Sequence, residues 1–193
     1  MIRSLYDWTI RLAEHPRALL ALAVVSFVES SFFPIPPDIL MIPMILAAPH
    51  RAFLIAAVAT ISSVIGGMFG YWIGAVLFEQ VGLPVLEFYG KTDNFEVFSQ
   101  AYNDWGAWAV LIAGVTPFPY KVVTILSGST GLNLVVFTVA SIIARGLRFF
   151  IVAALLWKFG QPIRDFIERR LGLMFTIFMG LLLGGFLLLK AFG

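Results

Sequence analysis

The sequence predicts an all-α polytopic membrane protein, an inverted repeat of a re-entrant helical hairpin plus a transmembrane helix, with an extra C-terminal transmembrane helix. Three observations lead there. The 193 residues are 60% hydrophobic and only 12% charged, where an ordinary soluble domain carries roughly a quarter of its residues charged. Charge-free runs long enough to cross a bilayer recur along the chain. Two apolar segments are broken by prolines in the same register, Pro34-Ile35-Pro36-Pro37-Asp38 and Pro117-Phe118-Pro119-Tyr120-Lys121. The absence of cysteine excludes disulfides, thiol catalysis and Cys-ligated metals. A net charge of +2 is too small to argue for nucleic acid.

Each element follows from its residues. Residues 1–16 alternate Arg3, Asp7, Arg11 and Glu14 with Leu5, Trp8, Ile10 and Leu12, the pattern of an amphipathic helix at the membrane surface. Residues 17–51 form hairpin 1. Its arm from Ala18 to Phe33 is apolar apart from Glu29 and a few serines, and the Pro34–Pro37 cluster cannot continue a helix. The returning arm, Ile39 to Ala48, is about 10 residues or roughly 15 Å as a helix, half of a hydrocarbon core of about 30 Å. It cannot cross alone and must return.

Residues 52–79 are the clearest transmembrane segment, charge-free from Ala52 to Phe78. Gly66, Gly70 and Gly74 fall four apart on one face, where another backbone can approach closely. Residues 80–104 are an acidic extracytoplasmic loop, with Glu87, Asp93, Glu96 and Asp104 against Lys91. Within it Phe95, Phe98 and Tyr102, with Trp105 just beyond, recur at helical spacing and predict a surface-lying helix. Residues 105–131 repeat the hairpin, with Pro117 and Pro119 at the break. Residues 132–157 are a second span, 158–170 a basic cytoplasmic loop and 171–190 a last span.

The halves are in register: Pro34, Pro36 and Asp38 map onto Pro117, Pro119 and Lys121 at an offset of 83, and Gly66 and Phe69 onto Gly146 and Phe149 at 80. Proline-interrupted segments at corresponding positions point to a binding site near the midplane. Lys and Arg concentrate at residues 3–17, at Arg51 and at 158–170, whereas the middle loop has Lys91 alone. The N-terminus is therefore expected in the cytoplasm, and the two halves are inverted.

Five charges remain at membrane depth: Glu29 and Asp38 in the first half, and Lys121, Arg145 and Arg148 in the second. Charges there normally pair or face a cavity. As salt bridges they would pin the halves together. As a site, Lys121, Arg145 and Arg148 are headgroup-binding candidates for a phosphate, and Glu29 and Asp38 are candidates for proton coupling.

The chain resembles the DedA family, also called the VTT or SNARE-associated Golgi protein family, as a shorter bacterial branch. The resemblance covers about residues 17–160. It rests on Glu29 before Pro34, Pro36 and Asp38, on Gly-Tyr-Trp-Ile-Gly at 70–74, on Thr-Pro-Phe-Pro-Tyr-Lys at 116–121 with Ser127-Gly128, and on Arg-Gly-x-Arg-Phe-Phe at 145–150. It implies two inverted re-entrant hairpins and translocation or scrambling of a polyprenyl phosphate or phospholipid, with functional acids at Glu29 and Asp38. Of the family's two arginines flanking the second break, the first position is occupied by Val115 or Thr116 and the second by Lys121.

The expectation is thus a flippase- or scramblase-like lipid transporter in the bacterial inner membrane, multi-pass, compatible with a homo-oligomer and needing no cofactor or metal. The alternatives are a small-ion or proton-coupled exporter and a non-catalytic membrane assembly protein. An intramembrane enzyme is disfavoured, because Ser127 has no histidine at its depth: His15 and His50 lie at membrane edges.

Overall fold

The computed structural model describes residues 17–33, 36–116, 119–160 and 162. The expected surface helix at 1–16, the C-terminal span at 171–190, most of the loop at 158–170, and Pro34 and Pro117 lie outside them. The described residues are helical throughout, without strands. In order they form α1 (Ala18–Ser31), α2 (Asp38–Ala47), a 3-10 turn (Pro49–Arg51), α3 (Ala52–Leu77), a π-helical turn (Phe78–Gly82), α4 (Leu83–Phe88), α5 (Thr92–Asp104), α6 (Gly106–Val115) and α7 (Tyr120–Ser129). A last helix, α8, runs Leu134–Gly160.

Among the described residues, two helices are long and apolar enough to cross a membrane, Pro49–Phe88, which contains α3, and α8. Their large apolar side chains face outward: Ile61, Ile65, Met68 and Trp72 on α3, and Val135, Val139, Ile142 and Leu147 on α8, are exposed. Small and polar residues face inward, including Ala56, Ala59, Ser63, Gly67 and Gly70 on α3. That inside-out pattern suits a helix whose solvent is lipid and whose neighbours are other helices.

The glycine face of α3 fixes the packing. A Cβ at Gly66 would overlap the Phe27 carbonyl of α1, and one at Gly74 would overlap the Ile125 carbonyl of α7. At Gly70 it would meet both the Thr124 side chain of α7 and the Ser30 carbonyl of α1. Thr124 Oγ1 donates to that carbonyl at 3.0 Å, joining a helix of the first half to one of the second. Gly146, which the sequence register matches to Gly66, has only Thr60 Cγ2 near at 3.9 Å. The register is shared, but the close approach belongs to the first span.

Beyond Leu77 the helix does not stop at the expected loop. Pro84 lacks an N–H and its ring crowds the carbonyl four residues back, and just before it the ladder widens, Leu83 N–H donating to Phe78 O five residues earlier. The α4 and α7 helices each end in a Schellman motif with glycine in the left-handed region, Gly90 at φ 61° and Gly131 at φ 66°. Asn133 caps α8, its Oδ1 accepting from the N–H groups of Val135 and Val136. The acidic segment expected as a loop is thus mostly helical. On α5, Phe95, Phe98 and Tyr102 form an aromatic row, and Phe95 also stacks on Phe78 at 4.3 Å between centroids.

Two apolar clusters build the interior. One joins Leu22, Met41, Ile45, Ile55 and Ala56 to Phe149 and Ala153. The other joins Val110, Ala113, Tyr120 and Val123 to Phe137 and Ala140. Along α8, Ser141 and Arg145 lie between the residues of these clusters and are themselves buried.

Candidate functional site

Helices α1 and α2 bring Glu29 and Asp38 to α8, one turn of which presents Arg145 and Arg148 on the same face. The acids of the first half pair one to one with two bases of the second. Arg145 Nη2 lies 2.8 Å from Glu29 Oε2, and Arg148 Nη2 lies 2.8 Å from Asp38 Oδ2.

The two pairs differ in setting. Arg145 is 1% exposed and its partner Glu29 14%, whereas Arg148 and Asp38 are 21% and 22% exposed. Around the buried pair, Arg145 Nε donates to Ser63 Oγ at 2.6 Å, Ser63 and Ser30 share a 2.6 Å hydrogen bond, and Ser30 Oγ donates to Glu29 at 3.1 Å. The guanidinium also lies over the rings of Tyr120 and Phe149, 4.8 and 4.7 Å from their centroids. Its Nη1 is buried without a hydrogen-bond partner among the described residues. Of the guanidinium nitrogens Nε and Nη2 are thus matched, and the enclosed charge is held by Glu29, Ser63 and the two ring faces.

The partly open pair connects the two breaks. Arg148 reaches Asp38 at the first turn of α2, and its Nη1 donates to the Thr116 carbonyl at 3.0 Å, where α6 ends. Asp38 at the start of a helix is stabilised by the macrodipole; Lys121, one residue into α7, is opposed by it. Lys121 is half-buried and makes no side-chain hydrogen bond or ion pair among the described residues. Of the five charges singled out in the sequence, the structure therefore pairs four, and Lys121 has no partner among the described residues. Pro37 and Pro119 stand at the N-cap positions of α2 and α7, with Pro36 one residue ahead of Pro37.

The sequence did not single out Ser63, Tyr120 or Phe149 as partners of Arg145, or Ser30 as a partner of Glu29. Serines inside apolar helices were the available signal, since a hydroxyl at that depth needs a partner. Ser127, considered above as a nucleophile, shares a 2.9 Å hydrogen bond with Tyr102 of α5. Burial pushes the Tyr102 phenol up from its ordinary range, with the Ser127 hydrogen bond acting the other way. The same face is latched by Asn103, whose Nδ2 donates to the Thr130 carbonyl and whose Oδ1 accepts from Thr130 Oγ1. No group of three or more His, Asp or Glu capable of holding a metal occurs among the described residues.

Long lipid-facing helices around a core of paired charges beside two proline breaks define a helical membrane protein with a polar site between its halves. A family model for the VTT domain matches residues 33–158, and the chain belongs to that family, the DedA family of membrane proteins, which is implicated in membrane transport. It is 36% identical over 169 residues to an uncharacterized protein of Haemophilus influenzae, covering 86% of this chain and 88% of the relative. It is 37% identical, with the same coverage, to an uncharacterized protein of Histophilus somni. No solved structure matches the chain.

Proposed function

We propose that the chain moves a phosphate-headgroup lipid, a polyprenyl phosphate or a phospholipid, between the leaflets of the bacterial inner membrane, without covalent chemistry or a cofactor. The observation that carries this reading is Arg148, a partly open cation that bridges Asp38 after the first break and the Thr116 carbonyl before the second. A phosphate entering between the breaks competes with Asp38 for Arg148, and Lys121 at the positive end of α7 adds attraction. Protonation of Asp38 would release Arg148 to the phosphate, which is how proton coupling would act.

Supporting the geometry, α2 and α7 are ten residues each, half the length needed to span. Read as the returning arms of two re-entrant hairpins, they make the order short, short, long in each half an inverted repeat. The basic N-terminal and 158–170 segments favour a cytoplasmic N-terminus in this reading. The enclosed Glu29–Arg145 pair favours a second reading for those two residues alone, a clamp between the halves.

Reconstitution in vesicles carrying a fluorescent phospholipid, with an impermeant quencher outside, tests the proposal. Arg148→Ala is expected to reduce translocation to the protein-free rate, and Arg148→Lys to retain part of it, since lysine keeps the charge without the fork that holds both Asp38 and Thr116. Asp38→Asn is expected to retain phosphate-lipid binding but lose turnover. Wild-type rates in Arg148→Ala and Asp38→Asn would show that the lipid does not pass this pair.

A further inference from the structure

A cavity of about 500 Å³ lies away from the charged pairs, between the end of α3 with its π turn, α5, and the C-terminal turn of α7. Its chemistry is opposite to that of the Arg148 site. Two carboxylates, Glu79 and Glu96, line it, and no lysine or arginine does. The residues Ser129, Thr130 and Gly131 bring the negative end of the α7 dipole to its wall. The aromatic rings of Tyr71, Phe78 and Phe95 supply apolar walls. The hydroxyl of Ser99, also in the lining, is buried with no hydrogen-bond partner among the described residues.

We infer that this cavity binds an organic ammonium group, a primary or methylated amine carried on a short alkyl stem. Carboxylates and a helix C-terminus repel a phosphate and attract a cation. A divalent metal would gain nothing from the aromatic walls, and no third His, Asp or Glu joins Glu79 and Glu96 in the lining. An alkyl ammonium uses both parts, its charge against Glu79 and Glu96 and its carbons against Phe78 and Phe95. The ligand is either the amine headgroup of a zwitterionic lipid or a soluble amine. The site rests on residues that the lipid-transport reading does not use.

Calorimetric titration of the full chain in detergent with ethanolamine and with dihexanoyl phosphatidylethanolamine tests the inference. Both Glu79 and Glu96 are exposed, so Glu79→Gln with Glu96→Gln leaves packing intact; it is expected to weaken amine binding by about tenfold or more. Gln100→Lys, which brings a competing ammonium into the lining at another exposed position, is expected to abolish it. A lipid affinity well above that of ethanolamine, lost in the same variants, identifies a headgroup; equal affinities identify a soluble amine. No saturable binding of either amine, or unchanged affinity in the double variant, would overturn the site. Arg148→Ala is expected to leave ethanolamine binding unchanged, because that amine carries no phosphate, so failure here and failure of the transport reading are distinguishable.

Discussion

Replacing Arg145 by methionine is expected to destabilise the protein by about 3–5 kcal/mol, the cost typical of leaving one partner of a buried ion pair without the other. Glu29 would then hold a charge against Ser30 alone, and Ser63 would lose the donor that orients it. The double variant Glu29→Met with Arg145→Met is expected to recover most of that loss, since two apolar side chains of similar bulk can replace an enclosed pair at little net cost. Thermal unfolding in detergent reads the difference, a drop of about 10 °C for the single variant at this chain length. If Arg145→Met alone melted with the parent, the pair would not be a clamp and its place in the transport path would need to be reconsidered. Ser63→Ala is expected to fall between parent and single variant, because it removes one acceptor and no charge.

The second large effect lies at the glycine face of α3. Gly74→Val is expected to abolish the folded state, because the new side chain would overlap the Ile125 carbonyl and backbone cannot withdraw as a flexible side chain can. The contact is reciprocal: a Cβ at Gly128 of α7 would overlap the Tyr71 carbonyl of α3, so neither helix can slide to relieve the other. Separating α3 from α7 would also break the Ser129 Oγ hydrogen bond to the Gly74 carbonyl. The opposite sign is expected at Gly146, where space is open and alanine should add about 0.5–1 kcal/mol through helix propensity. Size-exclusion profile and melting temperature distinguish the two substitutions. A monodisperse Gly74→Val protein with the parent's melting point would mean that the close approach is not required.

Much of the fold was legible in the residues because its signals are local. Charge-free length marks a span, and a proline cluster marks a break wherever it falls. The breaks end the described helices where expected: α1 stops at Ser31, and α7 begins one residue after Pro119. The helical spacing of Phe95, Phe98 and Tyr102 identified α5 within a run of acids. The continuation of α3 into α4 was not legible, because a proline near the start of a helix and a proline ending one look alike until the π turn absorbs the mismatch. The amine cavity was equally hidden. Glu79, Glu96 and Gly131 are scattered along the chain and meet only because α5 folds back over the end of α3.

For the charges the division is sharp. That five ionisable groups lie inside apolar segments, acids in one half and bases in the other, is a matter of composition and order along the chain. Which acid meets which base depends on how the helices pack. Glu29 and Arg145 are 116 residues apart and Asp38 and Arg148 are 110 apart, and Arg145 and Arg148 are a single helical turn from each other. Nothing local distinguishes the two arginines. The close approach of α1 to the glycines of α3 puts Glu29 beside Ser63 and Arg145, while α2 carries Asp38 to Arg148. The same packing encloses Arg145 between Tyr120 and Phe149 and leaves Arg148 partly open beside the two breaks.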